Sequence, residues 1–322
     1  MTHIRIVSLA TAAAALLLAG KADAQRQVNA RHDAAANGTV EISINTGSVR
    51  VTGWNRNEVQ VTGTLQRESD RVVLDGSGRT VEVRVQGGRG RGAGATLEVR
   101  VPAGSSLEVN THAAPITVNG VTGAVEMVSQ AGAITVQGRP RSVDAMSHAG
   151  AVTVDAETDR ATITAMAGPV RLAGTVRQRA EITAMAGSVE VPAAVGEVEI
   201  NALNGAVRVA NVTGGQVEIT SVSGTVNVTG TRLRGSVNSV SGAVVVTGSL
   251  GGALSVESHA GSVELRLPGN TGARVDINSF SGGVDSDWRL TRDGREWHGT
   301  LGRGGPTVSI STFSGSVKLS RR

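Results

Sequence analysis

From about residue 105 onward, apolar and polar residues alternate in short runs. Each run breaks at a small residue followed by Gly, and the alternation then resumes. Clear copies are Ile182-Thr183-Ala184-Met185-Ala186-Gly187-Ser188-Val189-Glu190-Val191 and Val222-Ser223-Gly224-Thr225-Val226-Asn227-Val228. A period of two marks a strand with one buried face, so each copy predicts a short strand, a corner and a second short strand. The inward set on the first strand is Val125/Met127, Ile163, Ile182, Val198/Ile200, Val217/Ile219 and Val275/Ile277. On the second it is Ile134/Val136, Val152/Val154, Val189/Val191, Val207/Val209 and Val244/Val246. No sustained helical period follows residue 25, so essentially no helix is expected there.

The corner Gly recurs at 132, 150, 168, 187, 205, 224, 242 and 261, a step of 18 or 19 residues. Ala114 holds the same place one step earlier, Gly47 begins a looser copy, and Gly282 and Gly315 continue the series after wider gaps. Fixed-period similarity of this kind is the signature of a repeat architecture. Aligned on the Gly, the copies form columns. Three residues before it stand Ser129, Ser147, Ala165, Ala184, Ala202, Ser221, Ser239, Ser258 and Ser279. Two residues before it stand Met166, Met185, Leu203, Val222 and Val240, then Phe280 and Phe313, with Met166 and Met185 read as core filler. Columns of like residues favour stacked coils over successive hairpins, because stacking brings equivalent side chains within about 4.8 Å. The expected fold is therefore all-β, a β-solenoid of 18–19-residue coils with two short strands per coil. About ten coils would make a rod near 50 Å long.

Charge placement fits parallel stacking. Arg171, Glu190 and Arg208 alternate in sign three residues after the corner. Glu181, Glu199 and Glu218 repeat one sign six residues before it, with Arg179 placed to offset Glu181. Residues 25–104 repeat less regularly and hold Trp54. An insertion near 286–305 holds Trp288 and Trp297. Both read as covers for open strand edges, which divides the chain into an irregular capping region, 25–104, and regular repeats, 105–322.

Residues 1–24 have the form of a signal peptide. Arg5 gives the positive start, Ile6 to Ala19 the apolar stretch, and Ala22-Asp23-Ala24 the cleavage site. Cleavage would remove Arg5, Lys21 and Asp23, lowering the formal charge from +4 to +3. An exported product is expected, periplasmic or at the cell surface, with no integral membrane segment in the mature chain. The small charge excess gives no support for a nucleic-acid partner. With no cysteine in the chain, disulfides, thiolate chemistry and a lipidated N-terminal Cys are excluded. Two Phe, three Trp and no Tyr leave few platforms for sugar rings.

Val101-Pro102-Ala103-Gly104, then Leu107-Glu108-Val109, then the Gly-x-Val/Ile-x-Val copies and the ending Val308 to Leu319, resemble the adhesin-like family of bacterial envelope proteins known as domain of unknown function 4097. The resemblance spans most of residues 38–320. It implies a β-solenoid-like fold, an envelope setting and an adhesive role, and it carries over no catalytic residue. Ala114-Pro115 departs from the Gly of the pattern.

No constellation of residues predicts chemistry. Gly87-Gly88-Arg89-Gly90-Arg91-Gly92 reads as a loop rather than a phosphate cradle, since its spacing is wrong and a strand follows. His112 and His148 fall two coils apart, about 10 Å, too far to share one metal. These two and His259 read as hydrogen-bonded corner residues. The acidic column Glu126, Asp144, Glu181, Glu199 and Glu218 is too flat to converge on calcium. Thr117, Thr135 and Thr153 make a Thr column that Arg171 ends. The expectation is a non-catalytic, adhesin-like or structural envelope protein without cofactor. Its partner would be a cell-surface or matrix polymer, glycan or protein, held on the face carrying Arg171, Glu190 and Arg208; self-association is a further option. The alternative is a polysaccharide lyase or hydrolase on a β-helix.

Overall fold

The computed structural model describes residues 26–77, 79–87, 93–193 and 196–322. The leader and the Gly88–Gly92 stretch therefore lie outside the described residues. Among the described residues twenty-eight strands join in one continuous sheet, and there is no helix.

The sheet winds so that equivalent residues stand in parallel register. Ile163 pairs with Ile182, Ile182 with Ile200, and Ile200 with Ile219. On the second strands Val170 pairs with Val189, Val189 with Val207, and Val207 with Val226. All these side chains are buried. Two files of strands therefore enclose one narrow core of Val, Ile and Ala. β-branched residues suit this pleated, half-buried surface, and a core this thin has no room for many rings.

The corner between the files explains the Gly column. Gly168, Gly187, Gly205, Gly224 and Gly242 have φ of +130 to +139°. A Cβ on any of them would come within 2.1–2.4 Å of the preceding corner's carbonyl oxygen. Only Gly combines that φ with so close a backbone approach. Beside it, the small residue three positions earlier is buried, and at some corners its hydroxyl reaches the corner carbonyl. Ser147 Oγ donates to Gly150 O at 3.3 Å, and Ser279 Oγ to Gly282 O at 3.2 Å. Ala114-Pro115 does not interrupt the stack. Thr111 Oγ1 donates to Ala114 O at 3.0 Å, and Val49 N donates to Pro115 O at 3.0 Å.

The ends depart from sequence order. The final copy does not follow the one at Gly282. Strand Thr307–Ser314 lies between Val244–Ala260 and Ala273–Ser281, and Val317–Arg321 lies between Val263–Leu267 and Val284–Ser286. The corner series thus runs Gly261, Gly315, Gly282 in space. The N-terminal end does the same. Thr39–Trp54 sits between Thr80–Gln86 and Gly94–Pro102 on one side and Ser106–Ala113 and Ile116–Val121 on the other. The coils at Gly47 and Gly315 are thus each tucked one layer inside the stack. The chain can double back because the segment between copies is long at both ends, whereas the short connections between central coils, such as Ala156 to Thr158, allow only the next layer.

Antiparallel strands occur at the ends of this sheet. Glu58–Leu65 lies on Gly94–Pro102 and carries Arg26–Asp33, while Arg71–Ser77 lies on Thr80–Gln86. At the other end Glu296–Leu301 lies on Ala273–Ser281 and carries Thr291–Asp293. Trp288 and Trp297 pack partly buried against the core there, under Arg321 and Arg292 at 5.2 Å each. Trp54 is bracketed by Arg56 and Arg100 and donates its Nε1–H to Glu58 O at 2.9 Å. Reversed strands and cationic side chains over aromatic rings blunt edges that would otherwise template further pairing.

Candidate functional site

Two outer faces follow from the two strand files, and they differ in content. On the second-strand face the column three residues after the corner runs Thr117, Thr135, Thr153, Arg171, Glu190, Arg208, Asn227 and Val245. The Arg171 guanidinium pairs with Glu190, and Arg208 stands in register with Glu190 on the next coil. Further along, Glu264 lies between Val245 and Lys318. Its carboxyl is held below the usual range, first by a hydrogen bond from Arg266. All these groups are accessible, so solvent screens each pair and it mainly sets register.

On the first-strand face the acidic residues stand in one column, Glu126 beside Asp144 and Glu181, Glu199 and Glu218 in succession, with Thr162 between the two groups. Partial burial raises the Asp144 carboxyl above its usual value. Arg179 does not offset Glu181. It reaches forward to Glu197 at 3.2 Å and to Glu199 on the next coil.

The largest correction concerns the column two residues before the corner. Met166 and Met185 are not core filler, being 41% and 39% exposed. Leu203, Val222, Val240, Phe313 and Phe280 stand out with them, 38–50% exposed. Strand parity dictates this. With Ala184 buried three residues before the corner, Met185 must point outward. That parity was readable in the sequence and outranks the residue's hydrophobicity. The column in space is Met166, Met185, Leu203, Val222, Val240, His259, Phe313 and Phe280, because the final strand is inserted.

His259 is not a hydrogen-bonded corner residue like those expected. Its ring stacks on Phe313 at 5.0 Å, and Phe313 stacks on Phe280 at 4.8 Å, the planes within 7°. Arg295 covers the far face of Phe280 at 4.0 Å. These rings spend their faces on each other and offer their edges outward. In the other direction the column turns polar through His148, Gln130 and His112, with Gln130 between the two His as expected. A shallow groove runs beside the column. One stretch of about 330 Å³ is lined by Thr220, Asn238, Val240, His259, Ser311 and Phe313. Another of about 570 Å³ lies at the polar end among Asn45, Asn110, His112 and Gln130.

At the C-terminal end His298 sits between two carboxylates, with Nδ1 2.9 Å from Asp276 and Nε2 3.3 Å from Glu296. Among the described residues no group of three or more His, Cys, Asp or Glu is placed to hold a metal ion. Among the same residues no helix is long and apolar enough to cross a membrane.

Parallel coils, a Gly corner and columnar faces define a solenoid-like all-β protein. The chain belongs to the Toastrack family, domain of unknown function 4097, whose model matches residues 39–320. No curated protein matches it. Among solved structures it is similar to a candidate lipid-binding protein from Parabacteroides distasonis, 11% identical, TM-score 0.41, covering 91% of this chain and 96% of that one. It is also similar to a candidate adhesin from Bacteroides fragilis, 9% identical, TM-score 0.33, covering 93% and 99%. A candidate cell adhesion protein from Clostridium sporogenes is 8% identical, TM-score 0.21, covering 92% and 100%.

Proposed function

We propose that the chain is an exported, non-catalytic, adhesin-like envelope protein. It is a β-solenoid of 18–19-residue coils that holds a surface or matrix polymer on its second-strand face. The observation that carries this reading is the columnar display itself. Thr153, Arg171, Glu190, Arg208 and Asn227 present one polar group per coil, at the roughly 4.8 Å spacing of stacked strands. A hydrated polymer with its own repeat can meet such a face at many points, each weak and together additive. Signal-peptide cleavage before Gln25 supplies the export this role needs.

The enzymatic alternative asks for opposed carboxylates across a cleft and for free aromatic faces. The carboxylates of the acidic column stand side by side on one face, and the rings His259, Phe313 and Phe280 stack on each other. The test is binding of the chain lacking residues 1–24 to glycan and matrix-protein arrays, with and without the double reversal Arg171→Glu, Arg208→Glu. Loss of binding on reversal supports the reading. Binding that survives it moves the site elsewhere, and release of reducing or unsaturated sugar ends overturns the non-catalytic assignment.

A further inference from the structure

The apolar column has no role in that reading, and exposed apolar stripes rimmed by polar groups mark interaction sites. We infer that the first-strand face binds a second copy of this chain, antiparallel, about a two-fold axis between Val222 and Val240. The inference concerns the face opposite the proposed polymer-binding one and deepens the function by making the protein bivalent.

Three observations choose this occupant. First, eight rungs from Met166 to Phe280 give the stripe a length of roughly 34 Å and a constant pitch. A second copy shares that pitch by construction, so rungs stay in phase along the whole stripe. Second, antiparallel pairing matches the rungs by type. Met166 meets Phe280 and Met185 meets Phe313, both favourable thioether–aromatic pairs at ring edges, which are the parts the stacked rings leave open. Leu203 then meets His259, and Val222 meets Val240. Third, the flanking columns accept the same pairing. Glu181, Glu199 and Glu218 would face Ser309, Ser255 and Ser236, so no carboxylate opposes another. The nearer column is almost uncharged: Thr183, Asn201, Thr220 and Asn238 lie on consecutive coils, with Glu257 next. Depletion of charge at the centre is the compositional mark of a protein–protein interface.

The face also fits its expected strength. Five strand positions wide and eight rungs long, it covers roughly 560 Å² per copy. The pair would bury about 1,100 Å², at the lower limit of specific interfaces. A weak, reversible dimer is the class of contact that an area of this size fits. The Arg171 faces would then point away from each other, and a surface carrying repeated ligands would be gripped twice. End-to-end growth is disfavoured by the reversed strands at both ends, which leaves the lateral face as the open route to association.

Sedimentation equilibrium of the chain lacking residues 1–24 tests this, from micromolar to millimolar concentration. A monomer–dimer equilibrium is expected. Leu203→Asp should weaken it at least tenfold, while Val245→Asp on the opposite face should not. Because the chain has no cysteine, a thiol-reactive cross-linker of about 10 Å, the usual distance between packed sheets, reports the direction. The Met166→Cys, Phe280→Cys double variant should cross-link between copies, and Met166→Cys alone should not. A chain that stays monomeric at millimolar concentration overturns the dimer, as does a dimer indifferent to Leu203→Asp. Cross-linking of Met166→Cys alone overturns the antiparallel arrangement. A monomer that sediments with lipid vesicles and loses that on Leu203→Asp makes the stripe a membrane contact instead. A monomer that still binds array polymers through Arg171 and Arg208 leaves the proposed function standing.

Discussion

The two outer faces are made by the same coils with the same pitch, yet one alternates the sign of its charges while the other sets an apolar column and a neutral amide and hydroxyl column beside a like-charged acidic one. Stacking decides what each column tolerates. Apolar or Thr and Asn side chains can stand above their own kind at strand spacing. A column of ions gains only if the sign changes or a neighbour intervenes. Arg171, Glu190 and Arg208 use the first solution. Glu181, Glu199 and Glu218 use the second, with Arg179 bridging to Glu199. The apolar column needs neither device, so nothing inside the fold requires its solvent-facing hydrophobicity, and it is available for association.

Both faces rest on the same corner, so damage there should erase the contrast between them. Gly205→Ala forces φ of +139° on a residue with a Cβ and pushes that atom to 2.1 Å from Gly187 O. A loss of about 3 kcal/mol or more is expected in urea unfolding. Ile200→Ala removes a fully buried rung between Ile182 and Ile219 and should cost about 2–4 kcal/mol. Its effect should be equal whichever face is probed.

The alternating charge column should be sensitive where the neutral Thr183 column is not. Glu190→Arg places three guanidiniums in succession, and about 0.5–1 kcal/mol should be lost at low salt and regained at high salt. Thr183→Val, on the corresponding coil of the other face, should change stability by less than about 0.5 kcal/mol and show no salt dependence.

The smallest effect expected is local. Asp276 is the last acidic rung of the first-strand face, and His298 of the covering hairpin is held against it. Its pKa is raised, first by the hydrogen bond to Asp276 and then by the charges of Asp276 and Glu296. A His raised in the folded state gives its full stabilisation below the ordinary His value and loses it as pH climbs through the raised one. Hydrogen exchange in 296–301, corrected for intrinsic rate, should therefore be slower near pH 6 than near pH 8. His298→Gln should abolish the difference.

Much of this contrast is legible in the sequence. The Gly step, the inward Val and Ile pairs and the alternation through Arg171, Glu190 and Arg208 depend only on periodicity, and every inward residue named from it is buried. Two features are not legible in that way. Met185 has a core residue's chemistry at an outward position, and the pattern has to be taken as parity rather than composition to place it. The spatial order Gly261, Gly315, Gly282 has no local signature at all. The copies are nearly interchangeable, and the long segment between Ser286 and Thr307 lets the chain return to whichever edge pairs best.

Because the coils at Gly47 and Gly315 are each flanked on both sides by other layers, no further turn can be stacked directly on either of them. A longer member of this architecture must gain its new turns between existing ones, by duplication within the run from Ser142 to Ala260, where any turn fits on any other. The lengths of both display surfaces would then grow together, while the two covers were inherited unchanged.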